Sequence, residues 1–354
     1  MTDLANIDYE GIGQKSLELV QSGRAIFSED GSVAEELKPY LTAGTKRLNL
    51  PGANPLEQTI TLHFCAGMTI PMIYRLVNTM YPMVTPLAEI ERVTTGITAS
   101  VEGWLTRQLA PLYVVLWVDI MHFGPSSGRN RHSINNIWGI RSDGSRELLG
   151  VYIGDKDKTS FWVDVFKSLQ RRGVKDIIFA IPVHARRAGP AVRIVFPATE
   201  VQDCLVTRFR TIIHSLPSKD RREMSNNLTA VFQSKTMKIA EKRLQLFENK
   251  WTEIYPDATT ALRSNWSHLS PYCRYPDNIR RLLYTSNPTE VHHEEMQKVI
   301  AGAKSGKDGK SVSRLIYWIA QTGKEAENPP FNWDLVFREL IEAFGSRILS
   351  AATG

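Results

Sequence analysis

The sequence predicts an α/β fold built on a mixed sheet, and three patterns carry that expectation. The run LYVVLWVDI at 112–120 is continuous, apolar and rich in β-branched residues, as strands buried on both faces are. Next, INNIWGIR (134–141) and ELLGVYIG (147–154) flank the turn signal SDGS, which reads as an antiparallel extension of the first strand. The period then becomes helical over about Thr159–Arg171, with Phe161, Val165, Phe166 and Leu169 on one face, before the strand DIIFAIPV (176–183). With a further helix and a last strand near TEVQDCLV (199–206), the order is strand, strand, strand, helix, strand, helix, strand, a mixed α/β succession.

The other elements follow from punctuation. Residues 1–57 carry turn formers (SEDGS, LNLPGANP) and little periodicity, and read as an N-terminal arm. Residues 58–109 read as helices broken at Gly67 and Pro82, with Thr85 as an N-cap before Pro86. Two short helices and a longer one suit a helix-turn-helix-like DNA-binding region, and a plain helical packing unit is the competing reading. The first part of the sheet core spans 110–206, a helical insertion domain spans 207–283, and C-terminal helices of the core span 284–354 around the loop AGAKSGKDGKS.

Composition excludes several classes. The chain has 354 residues, 42% of them hydrophobic and 23% charged, which excludes disorder and fibrous repeats. Cys65, Cys204 and Cys273 are odd in number and widely spaced, which fits a reducing compartment rather than a disulfide scaffold. No apolar run approaches a membrane span and the first residues do not resemble a signal peptide, so a cytoplasmic protein with no membrane contact is expected. The net charge of +6 is a weak pointer to nucleic acid.

Two acids stand out. Asp119 closes a buried apolar strand, where only solvent, a partner or a metal tolerates a carboxylate; an ordinary strand-end turn acid is the plainer reading of Asp119 alone. Glu290 stands just inside a predicted helix after Asn287 and Pro288, where the helix dipole favours acids anyway. His292 and His293 are adjacent and point about 100° apart on a helix, a poor arrangement for a shared metal.

Taken in order, WVDI, the segment from Glu147 to Ile181, VFPATEVQDCLVTRFR, KWTEIYP and RRLLYTSNPTEV resemble the mutator-type (MULE-like) transposases of bacterial insertion sequences, over roughly residues 55–345. The resemblance implies an RNase H-like mixed-sheet core, an N-terminal helix-turn-helix-like region and an all-helical insertion domain. It also implies phosphoryl transfer by two divalent cations, Mg²⁺ or Mn²⁺, held about 3.5–4 Å apart by three carboxylates. The first acid falls on Asp119 and the last on Glu290. The second does not transfer: counting without gaps from Asp176 to Pro197 puts Val183 on the acid, and a shift of one puts His184 there. Neither is a hard anionic ligand. Asp203 is a conceivable substitute, and Thr207 stands where the family's Cys-x-x-His pair has its histidine after Cys204.

The resulting expectation is a DNA-binding, nucleoid-associated transposase-family protein, a homodimer, with impaired catalysis. The alternatives are an active transposase with an unusual metal ligand and a co-opted non-catalytic regulator. For DNA contact the candidates are Arg75 and Arg92 in the N-terminal helices and Arg208, Arg210, Arg221, Arg222, Lys235, Lys238, Lys242 and Arg243 around the insertion, each equally readable as a solvated helix face. Trp251 suits stacking on an exposed base or packing in a core.

Overall fold

The computed structural model describes residues 55–65, 67–80, 84–123, 132–183, 186–284, 309–322 and 332–353. They fall into two compact units.

The first unit contains α1 (Pro55–Cys65), α2 (Ile70–Met80), α3 (Leu87–Thr106) and α12 (Gly309–Thr322). Its core is Ile60, Phe64, Ile73, Val77, Ile90 and Val93. The break expected at Gly67 is a left-handed turn at φ 94°. There the Gly67 and Met68 amides donate to the Phe64 and His63 carbonyls at 3.1 and 2.9 Å and close the end of α1. Thr85 does not cap α3 as expected: Pro86 holds that position, and the Thr85 amide instead donates to Asn78 Oδ1 at 2.5 Å. Helix α12, which the sequence grouped with the C-terminal helices, packs in this unit, with the Arg314 guanidinium 4.1 Å over the Phe64 ring and Tyr317 edge-on to Trp104 at 5.6 Å.

The second unit holds β1 (Leu112–Phe123), β2 (His132–Arg141), β3 (Arg146–Gly154), α4 (Thr159–Arg171), β4 (Asp176–Pro182), α5 (Ala188–Val195) and β5 (Glu200–Val201). The five strands lie in the order β3-β2-β1-β4-β5. β2 and β3 are antiparallel, while β1–β4 and β4–β5 are parallel. On one face α4 and α5 bury Trp162, Val165, Phe166 and Leu169 against Leu116, Val118 and Ile120. A left-handed residue at the end of α4, Gly173 (φ +104°), turns the chain into β4, and a Cβ there would meet Gln108 Nε2 at 2.1 Å. On the other face Phe179 meets Tyr275 and Phe344 at 5.2 and 5.4 Å, edge-on to both. Phe344 belongs to α13 (Trp333–Thr353), which is kinked at that residue.

The remaining helices of this unit are α6 (Leu205–His214), α7 (Ser218–Phe232), α8 (Met237–Trp251), α9 (Pro256–Ser264), α10 (Trp266–Leu269), a 3-10 turn (Pro271–Arg274) and α11 (Asp277–Tyr284). Burial of Met224, Leu228, Leu244, Phe247, Trp251, Leu262 and Trp266 gives them an apolar interior.

Candidate functional site

Asp119 does not close its strand. β1 continues to Phe123, and the carboxylate sits inside it with 4% of the residue exposed. The expectation of a strand-end acid is corrected because the apolar run resumes at Ile120 and Met121, both buried. Leu116, Val118 and Ile120 face the α4–α5 core, so strand alternation directs Asp119 to the opposite face.

The neighbour of Asp119 on β4 follows from register. Trp117 pairs with Ile181 and Val118 with Pro182, and the Val183 amide donates to the Val118 carbonyl at 2.8 Å. Val183 is the first residue past β4, and extending the register by one step sets it beside Asp119. Paired residues of parallel strands share a face, about 4.8 Å apart. Val183 is 7% exposed, so an isopropyl group that carries no ligand atom occupies a buried position next to the carboxylate. Glu290, His184, His292 and His293 lie outside the described residues. Among the described residues no three His, Cys, Asp or Glu side chains gather to hold a metal ion. Among the described residues, then, Asp119 is the one member of the expected carboxylate set that the structure places.

Asp203 follows β5, where the Gln202 amide donates to the Ala180 carbonyl at 3.0 Å. Burial raises its carboxyl pKa, while His268, Arg208 and Arg186 pull the other way, with Arg208 Nη2 at 4.0 Å. This setting is a cationic one at the start of α6. Cys204 is the N-cap of α6: its Sγ accepts from the Thr207 amide at 3.5 Å and hydroxyl at 3.2 Å. Threonine thus keeps a contact with the cysteine one helical turn away.

Gln202 was not singled out by the sequence. It is buried; its Nε2 donates to the Leu269 carbonyl at 2.8 Å and its Oε1 accepts from the Tyr272 amide at 3.0 Å. It fastens the end of β5 to the turn after α10.

Structure divides the basic candidates. Arg92 donates to Glu89 at 2.7 and 2.9 Å and also to Glu57, and these bonds raise its already high pKa. Arg208 faces Asp203. Arg221 donates to the Leu216 and His214 carbonyls at 2.9 and 3.5 Å, at the end of α6. Arg243 donates to the Ala230 carbonyl at 2.7 Å. These four hold the fold together. Arg75, Arg210, Arg222, Lys235, Lys238 and Lys242 are exposed. Trp251 is a core residue, 2% exposed, its indole N–H donating to Asn227 Oδ1 at 3.0 Å. The stacking reading is therefore corrected: both ring faces are packed because Trp251 continues the inward row Ala240, Leu244 and Phe247.

Comparison with known proteins identifies the family. Residues 43–327 match the family model described as Transposase, Mutator family. The chain is 26% identical over 299 residues to the transposase for insertion sequence element ISRM3 of Rhizobium meliloti (strain 1021), covering 83% of this chain and 74% of that protein. It is 28% identical over 261 residues to a probable insertion-sequence transposase of Corynebacterium diphtheriae, covering 73% and 75%. Against the transposase for IS6120 of Mycolicibacterium smegmatis it is 26% identical over 221 residues, 62% and 68% of the two chains. Among the described residues no helix is long and apolar enough to cross a membrane. With four-fifths of its length inside the family model, the chain belongs to the Mutator family of transposases.

Proposed function

We propose that the protein is a DNA-binding member of this family whose strand-transfer chemistry is impaired. One observation supports the reading: the β1–β4 register, continued one residue past β4, sets Val183 beside Asp119, at the position where the resemblance puts the second acid. Under this reading the mixed sheet is an RNase H-like core, α1–α3 are the helix-turn-helix-like region and α6–α11 the helical insertion. Asp119 and Glu290 are what remains of the carboxylate set, and Mg²⁺ or Mn²⁺ is the ion a complete set would take. DNA is the partner, a homodimer the assembly and the nucleoid the place of action.

A nicking assay on DNA carrying the element's terminal repeats, with Mg²⁺ or Mn²⁺, tests the chemistry. The wild type is expected to leave the DNA uncut, because loss of an inner ligand costs more than the ~10- to 100-fold typical of outer positions. Cleavage that disappears in Asp119→Ala would refute impairment and favour an active enzyme with an unusual ligand.

A further inference from the structure

The solvent side of α7 and α8 has an uneven charge pattern. The two helices run antiparallel, since Lys250 meets Glu223 while Arg243 reaches back to Ala230. On α8, Glu241 and Glu248 lie together on one flank, where both hold Arg263. Helical spacing from the buried row Ala240, Leu244, Phe247 and Trp251 turns Lys238 and Lys242 outward. Beside them Ile239 and Leu246 are 41% and 59% exposed. Arg222 is likewise exposed on α7, and among the described residues Arg222, Lys238 and Lys242 make no ion pair.

A surface that only needed solubility would intersperse both signs and hide its leucines. Here cations that make no ion pair flank exposed apolar groups, while the carboxylates nearby, Glu223, Glu241 and Glu248, are already held by Lys250 and Arg263. Lys238 and Lys242 are separated by about 6 Å along the axis, roughly two base-pair rises. We propose that this face of α7 and α8 binds the backbone of duplex DNA, with Arg222, Lys238 and Lys242 on phosphates and Leu246 against sugar or base edges. The proposal rests on the DNA-binding reading above and names its surface.

Fluorescence anisotropy with a labelled linear duplex, titrated between about 50 and 200 mM salt, tests it. Lys238→Gln/Lys242→Gln is expected to flatten the log–log salt slope by about 2 and to raise Kd at least about tenfold. Lys167→Gln/Lys175→Gln, an equal loss of charge at other exposed lysines, should leave the slope near that of the wild type. Leu246→Ser should weaken binding by about tenfold with no change of slope, because the contact it removes is apolar. Equal losses in both lysine pairs would overturn the assignment of this face and leave DNA binding standing. A wild type that binds no duplex at any salt would overturn both readings. A DNA-free dimer that dissociates in Leu246→Ser, seen by sedimentation, would reassign the face to a second copy of the chain.

Discussion

Placing Val183 beside Asp119 makes a quantitative prediction that needs neither DNA nor activity. Val183→Asp puts a second carboxylate in a buried position about 4.8 Å from the first along the sheet. At an effective dielectric of about 20, two unit charges about 5 Å apart repel by roughly 3 kcal/mol. Val183→Asn has the same shape without the charge, so the gap between the two variants isolates the repulsion. The introduced acid has its folded pKa raised above its unfolded value of about 3.9. Its penalty is therefore absent at low pH, grows as pH climbs through the unfolded pKa, and is complete above the folded pKa. In a chelator at pH 7, Val183→Asp should unfold about 3 kcal/mol more easily than Val183→Asn, roughly 6–12 °C lower in Tm at the scaling of domains of 150–250 residues. Near pH 4 the two should converge. Added Mn²⁺ should narrow the gap at pH 7, because two adjacent carboxylates favour a divalent ion. Thermal unfolding followed by circular dichroism measures all of this. Equal stability of the two variants at pH 7 in chelator would refute the juxtaposition of positions 119 and 183.

Three further outcomes follow from the packing. Burial lowers the His63 pKa to about 4, so stability is fully present above the unfolded value of about 6.5 and is lost as pH falls toward 4; His63→Gln should remove that slope in an acid-unfolding series. Gln202→Ala leaves the Leu269 carbonyl and Tyr272 amide without their buried partner and should cost about 2–4 kcal/mol in urea unfolding, while Glu253→Ala on the surface should cost almost nothing. Trp251→Ala should cost about 3–5 kcal/mol as a core deletion, yet leave the salt slope of DNA binding unchanged in protein kept below its unfolding transition.

The strands and helix of the sheet core were legible because burial on two faces, alternation and helical spacing are local signals. Residues 159–171 were read as a helix and form one, and the SDGS turn joins β2 to β3 as expected. The extension of β1 past Asp119 was not legible, since an acid inside an apolar run looks like a boundary when the neighbouring strand is unknown. Setting Val183 next to Asp119 needed the β1–β4 register, which joins residues 64 positions apart and is extended one step past β4. Gln202 was missed for the same reason: its partners Leu269 and Tyr272 come from a turn far along the chain.

The basic residues show most clearly what a sequence withholds. A count of cations cannot distinguish a charge committed to the fold from one left for a ligand. The arginines Arg92, Arg243 and Arg280 are spent on carboxylates or on carbonyls at helix ends, contacts that suit a planar fork with several fixed donors. What the outward face of α7 and α8 keeps is mainly lysine, a mobile and strongly hydrated point charge. Lysine on phosphate positions a duplex and carries little sequence information, whereas bidentate arginine on guanine is the commonest specific contact. If the proposed surface is correct, Lys238 and Lys242 hold any duplex about equally, and replacing them should weaken binding to terminal-repeat and unrelated DNA by the same factor. Discrimination between those two DNAs would then have to come from elsewhere in the chain, and Arg75, exposed on α2, is a candidate the structure leaves available. Competition binding of Arg75→Gln with the two duplexes separates the roles: a fall in preference without a fall in general affinity assigns readout to α2, and an unchanged preference removes it.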